Sequence, residues 1–216
     1  MYKRQYQNGC KNRFYIACER AAARQTDAFI SVAQAMTDQA LAAGIGRPEQ
    51  YTRIFSGMET DTFLQPRTPE QVAALRHEFK LPSEAVVIVT IARLFALKGH
   101  EYIIKAAQEL APRFPQVHWL FVGDGSWRQK IQRQINETGL NNRFHLTGLV
   151  SPQRIPDILH ACDILVHCSL REGLARTLPQ ALLCGKPVIS FDVDGAREIV
   201  ITVSYTHLTL PTNREV

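Results

Sequence analysis

From residue 85 to residue 191 short apolar runs alternate with segments of helical period, and this alternation limits the fold more than any other feature of the chain. Ala85 to Ile91 reads as a strand apolar on both faces, the pattern of a strand covered above and below. Gly99 to Ala111 reads as a helix with Ile103, Ile104, Ala107 and Leu110 inward. The series continues with a strand at Val117 to Val122, a helix from Ser126 to Thr138 that stops at Gly139, and a strand at Arg143 to Thr147. A helix from Pro152 to His160, a strand at Asp163 to Val166, a helix from Thr177 to Leu183 and a strand at Pro187 to Phe191 complete it. Strands joined by helices pair in parallel through right-handed crossovers, so the expected fold class is α/β with a doubly wound parallel sheet. Ligands of such sheets bind beyond the carboxyl ends of the strands. Function is therefore sought in the loops that follow each strand.

Upstream the pattern is different. Tyr6 to Gln25 reads as a mostly polar helix, Ala28 to Val32 as a short strand, and Ala33 to Ala43 as a helix stopped by Gly44. The stretch from Ile45 to Arg67 is expected to be irregular and to hold a domain boundary. Thr68-Pro69-Glu70-Gln71 then carries a helix-start signal: Thr68 can cap, Pro69 suits the first helical position, and Gln71 can complete a capping box.

The two ends read as foreign to the fold. Met1 to Gln5 and Val203 to Val216 resemble translated adapter sequence from shotgun libraries, and the natural protein is expected to continue past both ends. The formal charge of +5 falls to +3 without Lys3 and Arg4, because Arg214 and Glu215 cancel. That mild balance suits an anionic ligand or a bilayer surface, and nucleic acid is not an expected partner. The sequence has neither a bilayer-length apolar run nor a signal-peptide pattern at its start, so a cytoplasmic location is expected. Cys10, Cys18, Cys162, Cys168 and Cys184 form no Cys-x-x-Cys pair and read as reduced, mostly structural thiols.

Four strand-end loops hold the chemistry. In the first, Arg93 and Lys98 flank a loop that opens a helix; a planar fork and a point charge beside a helix start suit a diphosphate. The second is Val122-Gly123-Asp124-Gly125, where Gly123 and Gly125 allow a tight turn and close backbone approach to a ligand. Position 128 is Arg128, so the dinucleotide fingerprint is incomplete, and no Walker A pattern occurs. The third is Thr147-Gly148-Leu149-Val150, which can present backbone groups to a flat base or be an ordinary turn. The fourth runs from Cys168 to Gln180: Glu172 and Gly173 precede a helix start at Arg176 and Thr177, where free N–H groups can cradle phosphate.

In this order the loops resemble the family-4 retaining glycosyltransferases of the GT-B fold, over roughly Glu19 to Val200. Arg93 with Lys98-Gly99, the Gly123 to Gly125 turn, and Glu172-Gly173 through Gly185-Lys186-Pro187-Val188-Ile189 carry most of the likeness. Ser56 to Phe63 resembles the segment that opens the family's second domain. The resemblance implies residues 6–50 as a remnant of an acceptor domain and residues 51–202 as an incomplete Rossmann-like donor domain, between adapter-like ends at residues 1–5 and 203–216. It implies that Arg93 and Lys98 neutralise the diphosphate of a nucleotide sugar and that Glu172 contacts its sugar. It further implies that the backbone around Arg176 and Thr177 holds phosphate, that Gly173 with Gly123 and Gly125 belongs to the donor-binding site, and that Leu149 and Val150 meet the base. Gln180 stands where the family usually has a ribose-binding glutamate; its amide oxygen still accepts a hydrogen bond, without charge assistance.

The implied activity is sugar transfer to a carbohydrate or lipid-linked acceptor hydroxyl with retention, with no cofactor and no metal. Peripheral membrane contact of the parent protein would suit the family. Two other readings stay open at this point: a nucleotide-sugar epimerase of the same fold, and a binding module that kept the fold without the chemistry.

Overall fold

The computed structural model describes residues 9–200. The expectations for residues 1–5 and 203–216 lie outside this range. The chain opens with α1 (Gly9–Ala23), β1 (Phe29–Ser31) and α2 (Gln34–Ala42). The stretch expected to be irregular contains a further strand, β2 (Tyr51–Arg53), paired in parallel with β1 from Phe29↔Tyr51 to Ser31↔Arg53. A strand this short has no readable period, and only its partner defines it. The pairing places Tyr51–Arg53 in the same sheet as the N-terminal segment, past the boundary expected after residue 50.

A short helix, α3 (Asp61–Leu64), buries Phe63 against the following unit. Helix α4 (Pro69–Glu78) starts with the expected capping box: the Gln71 N–H donates to Thr68 Oγ1 at 3.3 Å, and the Thr68 N–H donates to Gln71 Oε1 at 2.9 Å. The alternation then follows as β3 (Val86–Ile91), α5 (His100–Leu110), β4 (Val117–Val122), α6 (Arg128–Thr138), β5 (Phe144–Gly148), α7 (Ile155–Ala161), β6 (Ile164–His167), α8 (Thr177–Leu183) and β7 (Val188–Ser190). The helix expected from Pro152 divides into a tight turn at Pro152–Arg154 and α7. Pro156 has no N–H to bond back to residue 152, so a continuous α-helix cannot form there.

The five strands pair wholly in parallel, in the order β5-β4-β3-β6-β7. The chain starts at the centre, winds out through β4 and β5, then crosses back to β6 on the other side of β3. The strand order therefore reverses between β3 and β6, and a crevice opens there at the carboxyl ends.

Successive residues of β4 show why both faces are covered. Trp119 and Phe121 pack with Ile103, Ile104 and Ala107 of α5 and Ile131 and Ile135 of α6. Leu120 and Val122 point the other way, into a cluster with Ile158 and Leu159 of α7 and Leu178 and Ala181 of α8. Each of these large side chains contributes about 1.5–3 kcal/mol by leaving water.

Candidate functional site

The crevice between β3 and β6 is built by two loops stitched to each other. Leu97, at the end of the β3 loop, presents its carbonyl to the N–H of Leu170 at 2.8 Å and to Ser169 Oγ at 3.2 Å. Gly99 caps α5 in the left-handed region at φ 75°. A Cβ at Gly99 would lie well under 3.0 Å from the carbonyl oxygen of Cys168. Only glycine lets the two loops come this close.

That approach brings the chemistry together. Lys98 Nζ and Glu172 Oε1 form an ion pair, with side chains only 14% and 16% exposed. His167, the last residue of β6, lies beneath them, its Nε2 3.6 Å from the same carboxylate oxygen. Burial pushes the His167 imidazole down to about 4, and the neighbouring Glu172 charge opposes the shift without cancelling it. At neutral pH this ring is therefore uncharged. Arg93 is exposed on the same rim, its guanidinium 5.8 Å from the centre of the Phe95 ring.

A cavity of about 370 Å³ is lined by Arg93, Lys98, Val150, Glu172, Arg176, Thr177 and Gln180, with Ile91, Ala92, Pro152, Ile155, His167, Leu174 and Ala175 completing the wall. Arg93, Lys98, Glu172, Val150, Arg176, Thr177 and Gln180, read separately from three loops, thus share one crevice. Two of its polar atoms are buried without a hydrogen-bond partner: Thr177 Oγ1 and His167 Nε2. Buried polar groups are nearly always satisfied, so both mark positions where a polar ligand would fit.

The remaining candidates lie elsewhere. Gly123 and Gly125 are absent from the cavity wall. A Cβ at Gly123 would overlap the carbonyl of Ala92, and one at Gly125 that of Leu94. Their role in the structure is to let the β4 loop dock on the β3 loop, where the Leu94 N–H donates to Asp124 O at 3.0 Å and the Trp127 N–H to Leu94 O at 2.9 Å. Leu149 is 81% exposed and is absent from the cavity wall, while its neighbour Val150 lines it. Gly173 is buried against the N-terminal segment, where an added Cβ would meet Met36 Sδ at 3.0 Å.

Sequence reasoning missed His167, Leu174 and the Pro152–Ile155 wall. Each occupies an ordinary strand-end or turn position, and only the folding of α7 beside the crevice brings Pro152 and Ile155 to it. The thiol of Cys168, next to His167, is pushed up to about 12 by burial and is no nucleophile at neutral pH. Among the described residues no helix is long and apolar enough to cross a membrane.

The sequence model of the family described as glycosyl transferases group 1 matches residues 71–213. A curated relative, the 2-deoxystreptamine glucosyltransferase of Streptomyces kanamyceticus, is 31% identical over 196 residues, covering 90% of this chain and 50% of that protein. The alpha-D-kanosaminyltransferase of the same organism is 26% identical over 182 residues, 84% of this chain and 47% of that protein. Among solved structures, Anabaena HepE in complex with UDP and glucose superposes with a TM-score of 0.75 at 28% identity, over 88% of this chain and 52% of HepE. The chain thus spans about half the length of the proteins it matches. Its parallel α/β architecture matches that of these GT-B neighbours. The chain belongs to the glycosyl transferases group 1 family.

Proposed function

We propose that this chain is the donor-binding part of a retaining, family-4 glycosyltransferase, which moves a sugar from a nucleoside diphosphate to an acceptor hydroxyl and keeps its anomeric configuration. One observation carries the reading: Arg93, Lys98 and Glu172 converge on one crevice at the switch point of the sheet. In this reading the Lys98 ammonium and the Arg93 guanidinium stand where the leaving diphosphate gains negative charge. Charge already in place there lowers the barrier without reorganisation. Glu172 holds Lys98 and faces the donor sugar, and the Thr177 hydroxyl with the first N–H groups of α8 receives phosphate oxygens. Gln180 meets the ribose through one uncharged hydrogen bond, Val150 meets the base, and Gly123 and Gly125 act by seating the Arg93 loop. This mechanism assigns no step to a metal or cofactor.

Two similarities support a sugar donor: HepE is solved with UDP and glucose, and the relative from Streptomyces is named a glucosyltransferase. The acceptor, carbohydrate or lipid-linked, would be bound mostly outside these residues. Transfer is therefore expected from a longer polypeptide, with this chain alone binding donor weakly. The test is turnover by the longer enzyme with UDP-, GDP- and ADP-glucose. Lys98→Ala should cost a few kcal/mol of barrier, or about a hundredfold in kcat, in line with other electrostatic donors. Unchanged turnover in that variant would remove Lys98 from the mechanism, and robust turnover by the present chain would overturn its assignment as a part.

A further inference from the structure

Glu172 is held in place from outside its own loop. Its backbone N–H donates to Asp194 Oδ2 at 2.7 Å, across the crevice wall. The other oxygen of the same carboxylate, Asp194 Oδ1, accepts from Gln39 Nε2 at 2.7 Å, and Gln39 belongs to α2 of the N-terminal segment. Asp194 adopts φ 48°, a left-handed backbone that residues other than glycine rarely adopt. The chain accepts this unfavourable conformation at the one residue whose two oxygens join Glu172 to α2. Beside it the Gly195 N–H donates to the Gly173 carbonyl at 3.2 Å, a second bond between the two loops. A Cβ at Gly195 would lie 2.7 Å from that carbonyl oxygen and 2.8 Å from Ala33 Cβ, so the three segments meet without spare room.

The turn that carries Asp194 is clamped to the N-terminal segment at two more points. Glu198 Oε1 accepts the N–H of Ala35 in the first turn of α2 at 3.1 Å. Ala33 at the α2 N-cap offers no side-chain acceptor, so Glu198 supplies the missing cap from across the interface. Glu198 also pairs with Arg53 of β2 at 3.2 Å.

We propose that Asp194 is a positioning residue that sets the reach of Glu172 toward the donor sugar, and that Gln39 couples this setting to the seat of the N-terminal segment. The inference rests on the reading of Glu172 as the sugar-facing acid. Aspartate serves the two contacts with separate oxygens, whereas asparagine has a single acceptor oxygen to share and glycine has no side-chain acceptor.

The experiment uses the purified chain with Asp194→Gly, Asp194→Asn and Gln39→Ala. Glycine suits φ 48° without strain, so Asp194→Gly should fold as well as the parent while losing the bond. Residue-resolved amide exchange should then run about tenfold faster at Glu172, with Asp194→Asn in between and Gln39→Ala about threefold faster, while the α5 amides stay unchanged. In titrations with UDP-, GDP- and ADP-glucose, the tightest donor should lose about five- to tenfold in affinity for Asp194→Gly, and its free diphosphate less than about twofold. Unchanged protection at the Glu172 amide overturns the proposal whatever the ligand results. Equal losses for donor and free diphosphate also overturn it, since Asp194 would then brace the phosphate site. If the amide responds but none of these donors or diphosphates binds the parent chain, the donor reading fails, and the positioning role falls with it.

Discussion

Two pairs of strand tips invite comparison: β3 with β6, and β4 with β5. Both pairs end in loops that carry glycines and approach each other closely. At β3 and β6 the approach joins Lys98 to Glu172 over His167. At β4 and β5 it joins backbone to backbone, with the Gly123 N–H donating to Gly148 O at 3.0 Å, and the connection after β5 contributes apolar side chains, Val150 and Pro152, to the cavity wall. Chain topology explains the difference. Between β3 and β6 the crossovers lead away from each other, to β4 on one side and β7 on the other, so their loops part and leave a crevice; the crossover of β4 leads to its neighbour β5 and that of β5 turns back across the sheet to β6, so the tips of β4 and β5 are not parted in this way.

The largest expected effect tests whether the first pair depends on contact between its loops. Gly99→Ala would force a left-handed alanine into the Cys168 carbonyl. A loss of about 3–5 kcal/mol, or failure to fold, is expected in urea unfolding. A parent-like midpoint would mean that the loops can separate freely. Gly139→Ala serves as the control: it shares the left-handed backbone at φ 73°, but its Cβ meets nothing within 4 Å, so it should cost only about 1–2 kcal/mol.

The next effect separates the two cations of the crevice. Lys98→Met leaves the Glu172 carboxylate without its partner in a largely buried setting, at an expected cost of about 2–4 kcal/mol of stability. Arg93→Met removes an exposed charge and should change stability by less than about 0.5 kcal/mol. Equal losses in thermal unfolding would contradict the buried placement of the Lys98–Glu172 pair. Donor affinity should fall in both variants.

The alternating sheet was legible because each strand-and-helix unit writes its period locally: Val117–Val122 and Thr177–Leu183 have the bounds read from the sequence. The cations and Glu172 were legible because strand-end loops of a doubly wound sheet have few places to converge. What stayed hidden depends on distant partners. β2 exists through β1 and Asp194 gains its role from Gln39, residues far apart in the chain, while His167 lies beside the Lys98–Glu172 pair only because the β3 and β6 loops meet above it. The glycines were ambiguous for a related reason. A glycine needed for close approach looks the same in sequence whether a ligand or another backbone approaches it, and for Gly123 and Gly125 it is the backbone of Ala92 and Leu94.

Acid should distinguish the two regions by titration. His100, fully buried at the start of α5 against the Phe121 ring, is pushed down to about 4 by burial, with the Lys98 charge adding to the shift. In the unfolded chain the same group titrates near 6.5. The unfolded state therefore binds more protons between these values. Stability from the neutral ring is complete above pH 6.5 and is lost as pH falls toward 4. Replacement by phenylalanine removes this loss. From pH 7.5 to pH 5, the stability of His100→Phe relative to the parent should rise by about 2 kcal/mol. His145 on β5 is also pushed down by burial, but it is only half-buried beside His118 and water screens its charge, so His145→Gln should show a smaller rise. A flat difference for His100→Phe in pH-dependent urea unfolding would show that water reaches the ring.

The smallest expected effect falls on the outer pair and bears on the base. Leu149 is exposed and Val150 lines the cavity, adjacent residues on one turn. Leu149→Ala removes a side chain already in water and should change stability by less than about 0.5 kcal/mol. If the wall alone meets the base, the donor affinity of Leu149→Ala stays at the parent value and that of Val150→Ala falls about three- to tenfold, because two methyl groups leave a ligand contact. A fall for Leu149→Ala of the same size would mean that this turn folds over the base when donor binds. The β5 tip would then belong to the site as fully as β3 and β6 do, and its exposed leucine would be a binding surface waiting for its ligand.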